Sequence, residues 1–220
     1  MITGKTVKAL YGLVLAGGKS TRMQQDKGGL VYHEKDQRRH VYDLLSGCCE
    51  KTYMSCNREQ AGELKEIFPV ITDSFEGLGP MGGILSAQQL HPGVAWLVVA
   101  CDLPFLSGPT LHYLIWHRDP SKTATAFRDP TNTFPEPLIT IWEPGSRALL
   151  EQRREEGHYC PRKALMQTEV ALLQPPDAAE LRNINNPEQY REAIAEIRQG
   201  RPAGRDIFPA GDNRSLTPEG

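Results

Sequence analysis

The feature that most limits what this chain can fold into is the apolar run Ala9-Leu10-Tyr11-Gly12-Leu13-Val14-Leu15 and what it empties into: Ala16-Gly17-Gly18-Lys19-Ser20-Thr21-Arg22-Met23-Gln24-Gln25-Asp26-Lys27. The run has strand length and is apolar on both faces, as a strand covered by helices must be. A buried strand that ends in paired glycines opens a turn at the carboxyl edge of a sheet, where ligands of open α/β folds bind. Glycine there permits positive φ and lets a ligand approach the main chain. The exposed amides of Leu15 to Ser20 form a concavity for anions, to which Arg22 and Lys27 add full positive charge. The guest that fits is a polyphosphate. The string follows neither the dinucleotide fingerprint nor the P-loop pattern.

Further strand-like runs recur along the chain at 51–56, 68–72, 94–100, 123–127, 134–142 and 170–173. Helical spacing lies between them: Val41, Leu44 and Leu45 after a basic loop over 32–40, then 57–67, 84–89, 104–112, 146–156, 161–165 and 187–197. Alternation of this kind predicts an α/β fold with a mostly parallel sheet. The run Val94-Ala95-Trp96-Leu97-Val98-Val99-Ala100 is apolar throughout and belongs at the sheet centre. It ends at Cys101-Asp102, so the Asp102 carboxylate sits at the tip of a central strand. A lone acid there suits magnesium, which needs few protein oxygens; the competing role is a helix cap. Asp73, at the end of 68–72, precedes the glycine-rich stretch Gly77-Leu78-Gly79-Pro80-Met81-Gly82-Gly83, where the plain role for it is a helix cap. Alternation puts Asn183 and Asn185 on one side of a strand before the last helix, with capping again the alternative for Asn185. Glu136, between two prolines, reads as an extended structural residue. Arg162-Lys163 could meet an acceptor phosphate, but such a pair more often forms a solvated face, and that reading is favoured here.

The string from Leu15 to Lys27 resembles the signature of nucleotidyltransferases that join a nucleoside triphosphate to a phosphate-bearing acceptor. Leu15-Ala16-Gly17-Gly18-x-Ser20-x-Arg22-Met23, followed by Asp26-Lys27, is most similar to the molybdenum cofactor guanylyltransferases and their cytidylyl relatives. The resemblance runs in order over about residues 9 to 197. Gln24 stands where the family usually has glycine, and Ser55 where it often has the first of two asparagines. The resemblance implies a Rossmann-like three-layer α/β/α fold of the nucleotide-diphospho-sugar transferase type, with one antiparallel strand led in by Glu136-Pro137-Leu138. It implies that Asp73 contacts the nucleotide, that Cys101-Asp102-x-Pro104-Phe105 binds the metal, and that Asn183-Ile184-Asn185-x-Pro187-Glu188 closes the acceptor side.

The implied reaction is attack of an acceptor phosphate oxygen on the α-phosphorus of GTP or CTP, with loss of pyrophosphate. The site would be Leu15, Ala16, Gly17, Gly18, Ser20, Arg22, Lys27, Asp73 and Asp102, with Asn183 and Asn185 toward the acceptor and Mg2+ on Asp102. A phosphate monoester is already largely ionised near neutrality, so no general base is required. The implied partners are GTP or CTP, molybdopterin or its molybdenum-bearing form, and the cofactor-assembly proteins and molybdoenzymes that receive the product. Two other readings stand beside this one. A sugar-phosphate nucleotidyltransferase shares the loop and the aspartate, and a non-catalytic nucleotide-binding module shares the loop alone.

Composition limits the rest. At 220 residues, 39% hydrophobic and 24% charged, the chain suits one domain, expected over 1–199, with a flexible tail over 200–220. Net charge is −2, which offers no global attraction to nucleic acid or to an anionic membrane, so any anion site is local. No run has the roughly 20 apolar residues of a membrane span. The five cysteines lack paired metal spacing and are expected as reduced thiols in the cytoplasm.

Overall fold

The computed structural model describes residues 8–16, 29–33 and 35–199. The strand-like runs become a seven-stranded sheet: β1 (Leu10–Leu15), β2 (Lys51–Cys56), β3 (Val70–Thr72), β4 (Ala95–Ala100), β5 (Ala124–Arg128), β6 (Pro135–Trp142) and β7 (Val170–Leu173). Their order across the sheet is β3-β2-β1-β4-β6-β5-β7. Of these, β6 alone runs against its neighbours β4 and β5; the remaining pairs are parallel. The expected mostly parallel sheet with one antiparallel strand is therefore observed, with β4 at its centre and buried throughout.

Side-chain alternation divides β1 and β4 between two apolar layers. Leu10, Val14, Ala95, Leu97 and Val99 pack on one face with Val41, Leu45, Leu64, Leu111 and Leu114. Those partners come from α1 (Gln37–Ser46), α2 (Arg58–Leu64) and α4 (Gly108–Trp116). Leu13, Leu15, Trp96 and Val98 pack on the other face with Met81, Ile84, Leu150 and Leu165. These come from α3 (Pro80–Leu90), α5 (Ser146–Glu155) and α6 (Pro161–Leu165). The result is the three-layer α/β/α sandwich. At Gly12 an added Cβ would stand 3.0 Å from the Leu45 Cβ, so glycine is what lets α1 lie this close to β1. The last helix, α7 (Pro187–Arg198), packs on neither main layer but on a third, smaller apolar cluster.

Several boundaries depart from the sequence reading, each for a local reason. Helix α1 takes in residues read as basic loop, because Asp36 caps it by accepting from the Arg39 amide at 2.8 Å. Helix α3 starts at Pro80, four residues early, since proline suits a first turn whose amides have no partner. Helix α4 starts late, at Gly108, because Ser107 is its cap. Residues 182–185 are not a strand; the segment crosses the end of the sheet without a strand beside it. The expected tail over 200–220 lies outside the described residues. Among the described residues no helix is long and apolar enough to cross a membrane.

Candidate active site

The carboxyl ends of β1, β2, β3 and β4 form one rim. Leu15 pairs with Ser55 on one side and with Ala100 on the other. The chain therefore leaves β1 one residue from where β4 turns into Cys101-Asp102. The Ala16 amide donates to the Ser55 carbonyl at 3.0 Å, which holds the start of the glycine loop against β2. Leu15 and Ala16 are thus placed at the rim. Gly17, Gly18, Ser20, Arg22 and Lys27 lie outside the described residues.

Asp73 follows β3, tied by its own amide to the Cys56 carbonyl at 2.9 Å. Its Oδ1 accepts from the Ser55 hydroxyl at 2.9 Å. Burial pushes this carboxyl up, and the Ser55 hydrogen bond partly offsets that. Helix α3 closes over the pair. A Cβ at Gly83 would lie 2.9 Å from Leu15 Cδ2 and 3.4 Å from Asp73 Oδ1, so any side chain there displaces the site. Gly79, the residue before α3, has φ 56° and ψ −139°, a conformation open to glycine, and it supplies no side-chain cap. The cap role weighed for Asp73 is thus not the one it plays.

Asp102 is half-buried at the tip of β4, with Oδ1 withdrawn from solvent. It does not cap α4, since Ser107 does. Beside it runs the Asn183–Asn185 segment: the Ile184 amide donates to the Asp102 carbonyl at 3.0 Å. Ile184 is buried in the third apolar cluster, while Asn183 is half-buried and Asn185 exposed. Asn185 does not cap α7 either; Asn186 does, accepting from Gln189 at 2.9 Å.

The other flank of Asp102 holds residues that sequence reasoning set aside. In the antiparallel register of β4 and β6, Val99 faces Ile139 and Val98 faces Thr140. Beyond that ladder, Glu136 near the start of β6 lies close enough to Asp102 for their charges to interact. Glu136 is buried; its Oε1 accepts from the Leu138 amide at 3.0 Å and its Oε2 pairs with Arg162 Nη2 at 3.1 Å. Burial pushes its carboxyl up, and the Asp102 charge adds to this. Arg162 Nη2 also reaches Asp129 at 3.2 Å. Burial of Asp129 is outweighed by hydrogen bonds from Thr131 and Asn132 and by the Arg162 charge, which hold its carboxyl below the usual range. Arg162 is therefore no solvated-face residue, whereas Lys163 is exposed. The one signal that could have singled out Glu136 is a charged residue inside an otherwise apolar strand.

A mostly parallel sheet covered by helices on both faces, with Ala16 and Asp102 following two adjacent central strands at one rim, is an α/β fold of the Rossmann-like class. The chain matches the MobA-like NTP transferase domain over residues 12–172 and belongs to that family. It is 37% identical over 182 residues to the molybdenum cofactor biosynthesis bifunctional protein of Synechocystis sp., covering 82% of this chain but 52% of that protein. It thus spans about half the length of that relative. It is 27% identical over 184 residues to the molybdenum cofactor guanylyltransferase of Pseudomonas putida, covering 82% of this chain and 95% of that one. Among solved structures, molybdopterin-guanine dinucleotide biosynthesis protein A from Archaeoglobus fulgidus superposes with a TM-score of 0.72 at 22% identity, over 86% of this chain and 99% of that one. This last likeness speaks for the fold.

Proposed function

We propose that the protein transfers the nucleoside monophosphate of GTP, or of CTP, to the phosphate of molybdopterin or its molybdenum-bearing form, releasing pyrophosphate. The observation that carries this reading is the junction at one rim. Leu15 and Ala100 are paired neighbours, so the loop that opens at Gly17 departs beside the turn that holds Asp102. The problem to be solved is charge, because one anion must attack another. Loop amides from Leu15 to Ser20, with Arg22, hold the β- and γ-phosphates. Lys27 neutralises charge that builds on the α-phosphoryl oxygens in the transition state. Asp73, fixed by Ser55, contacts the nucleoside. Asn183 and Asn185 orient the acceptor for in-line attack, and its ionised phosphate needs no base.

The donor set at Asp102 fits Mg2+. Among the described residues no three His, Cys, Asp or Glu side chains gather into a closed metal cage. A single rim carboxylate matches an ion that keeps water and takes its other oxygens from substrate phosphates. Asp102 would hold the ion, which would supply positive charge to offset that of the phosphates. We place the reaction in the cytoplasm, with cofactor-assembly proteins and molybdoenzymes receiving the product.

The test is purified protein with labelled GTP or CTP, Mg2+ and molybdopterin, read as pyrophosphate. Release that depends on molybdopterin supports the reading. Turnover with a hexose 1-phosphate instead assigns a sugar-phosphate transferase, and binding with no pyrophosphate from any acceptor assigns a non-catalytic module.

A further inference from the structure

The third apolar cluster is small, and it sits where the two main layers do not reach. It consists of Leu30, Tyr32, Phe105, Ile184 and Ala193, with Tyr190, Ile194 and Ile197 packed against it. Its members come from three stretches that the proposed reaction uses, and from α7, which it does not use. Leu30 and Tyr32 lie just downstream of Lys27. Phe105 follows Asp102. Ile184 lies between Asn183 and Asn185.

Polar contacts bind the same stretches to one another. The Tyr190 hydroxyl of α7 donates to the Val31 carbonyl at 3.2 Å, across 159 residues of sequence. The Tyr190 ring meets the Tyr32 ring edge-on, 5.0 Å between centroids. His33 Nε2 lies 2.7 Å from the Pro104 carbonyl, and the Ile184 amide is bound to the Asp102 carbonyl. Arg182 lies over the Phe105 ring, 4.3 Å from its centroid, and reaches forward to Glu196 of α7 at 2.8 Å. Each tie alone is worth about 1 kcal/mol or less. Together they join the exit of the signature loop, the tip of β4 and the acceptor-side segment into one unit that α7 covers.

We propose that Tyr190 is a positioning residue for nucleotidyl transfer: through Val31 and Tyr32 it sets the stretch that follows Lys27 against the Asp102 tip. This rests on the reaction proposed above. Tyr190 touches no reacting group in that scheme. Its role is to keep residues 30–33 and the Asp102 tip, delivered by different parts of the chain, in one geometry. A displacement of about 1 Å between such groups costs about 100-fold in rate.

The test compares wild type with Tyr190→Phe, which keeps the ring, and Tyr190→Ala, which removes it. Amide hydrogen exchange of the unliganded full chain is read alongside kcat for pyrophosphate release. In Tyr190→Phe, exchange should quicken at residues 30–33 and at Ile184, and kcat should fall about 3- to 10-fold, the loss of one hydrogen bond. In Tyr190→Ala, kcat should fall about 100-fold. Faster exchange confined to α7, or an unchanged kcat in both variants, overturns the inference. If wild type itself yields no pyrophosphate with any acceptor, the proposed reaction fails. Exchange at Ile184 and 30–33 then decides the coupling alone: quickened it stands, unchanged it falls.

Discussion

The two flanks of the rim are built in different ways. On the flank proposed for the nucleotide, three adjacent parallel strands deliver Ala16, Ser55 and Asp73, and hydrogen bonds between neighbouring strand ends fix them. Ser55 and Asp73 are only 18 residues apart. On the flank proposed for the acceptor, Asp102 is met by the segment before α7, and Glu136 of β6 is met by Arg162 in the first turn of α6. Glu136 reaches Arg162 over 26 residues, and Tyr190 reaches Val31 over 159. The difference teaches where specificity can be altered cheaply. A flank made of contiguous loops on parallel strands keeps its geometry as long as the sheet stands. A flank assembled from distant segments depends on each separate tie.

Four substitutions probe this contrast, the largest effect first. Asp102→Ala sits where the flanks meet and should lower kcat/KM about 100- to 1,000-fold with an unchanged melting temperature; a near-normal magnesium-dependent rate would remove Asp102 from the chemistry. Arg162→Ala leaves Glu136 buried without its cation. It should cost about 2 kcal/mol in urea unfolding while GTP affinity holds, which separates the acceptor flank from the nucleotide flank. An equal loss of GTP affinity would erase that separation. Ser55→Ala acts on the other flank. Releasing one oxygen of Asp73 should weaken GTP binding by about fivefold, equivalent to about 1 kcal/mol, with little change in stability.

The last prediction concerns pH. His40 stacks on His33, ring centroids 4.1 Å apart, behind the Pro104 contact. Burial first, then His33 and Lys35, lower its pKa to about 4, with Asp43 and the Leu106 backbone acting against them. The unfolded chain, with an ordinary histidine near pH 6.5, therefore takes up the proton first as pH falls. This group's contribution is constant above about pH 6.5 and destabilises progressively from there down to about pH 4. His40→Gln should flatten that part of the melting-temperature profile between pH 7 and 4.5, and an identical slope in both proteins would deny it.

The same contrast explains what could be read in advance. Strands β1, β2 and β4 fall within a residue of the apolar runs that mark them, since Gly, Asp and Asn punctuate their ends. The nucleotide flank was legible because loop and acid follow their strands directly. Capping was legible only as a set of candidates. Gly79, Ser107 and Asn186 stand at the caps of α3, α4 and α7, and this leaves Asp73, Asp102 and Asn185 for other work. The acceptor flank was largely hidden. Glu136 gains its position from the β4–β6 register, and Arg162 gains its two carboxylates only when Asp129 folds back beside β6. Nothing local to either residue announces those meetings.

The central claim is that this rim is where triphosphate and acceptor meet. A crystal structure of the protein soaked with GTP and Mg2+ tests it most directly. The account predicts the triphosphate on the amides that follow Leu15, with Lys27 and Asp102 on either side of the α-phosphate and Asp73 at the nucleoside. A nucleotide bound elsewhere, touching neither Lys27 nor Asp102, would contradict it.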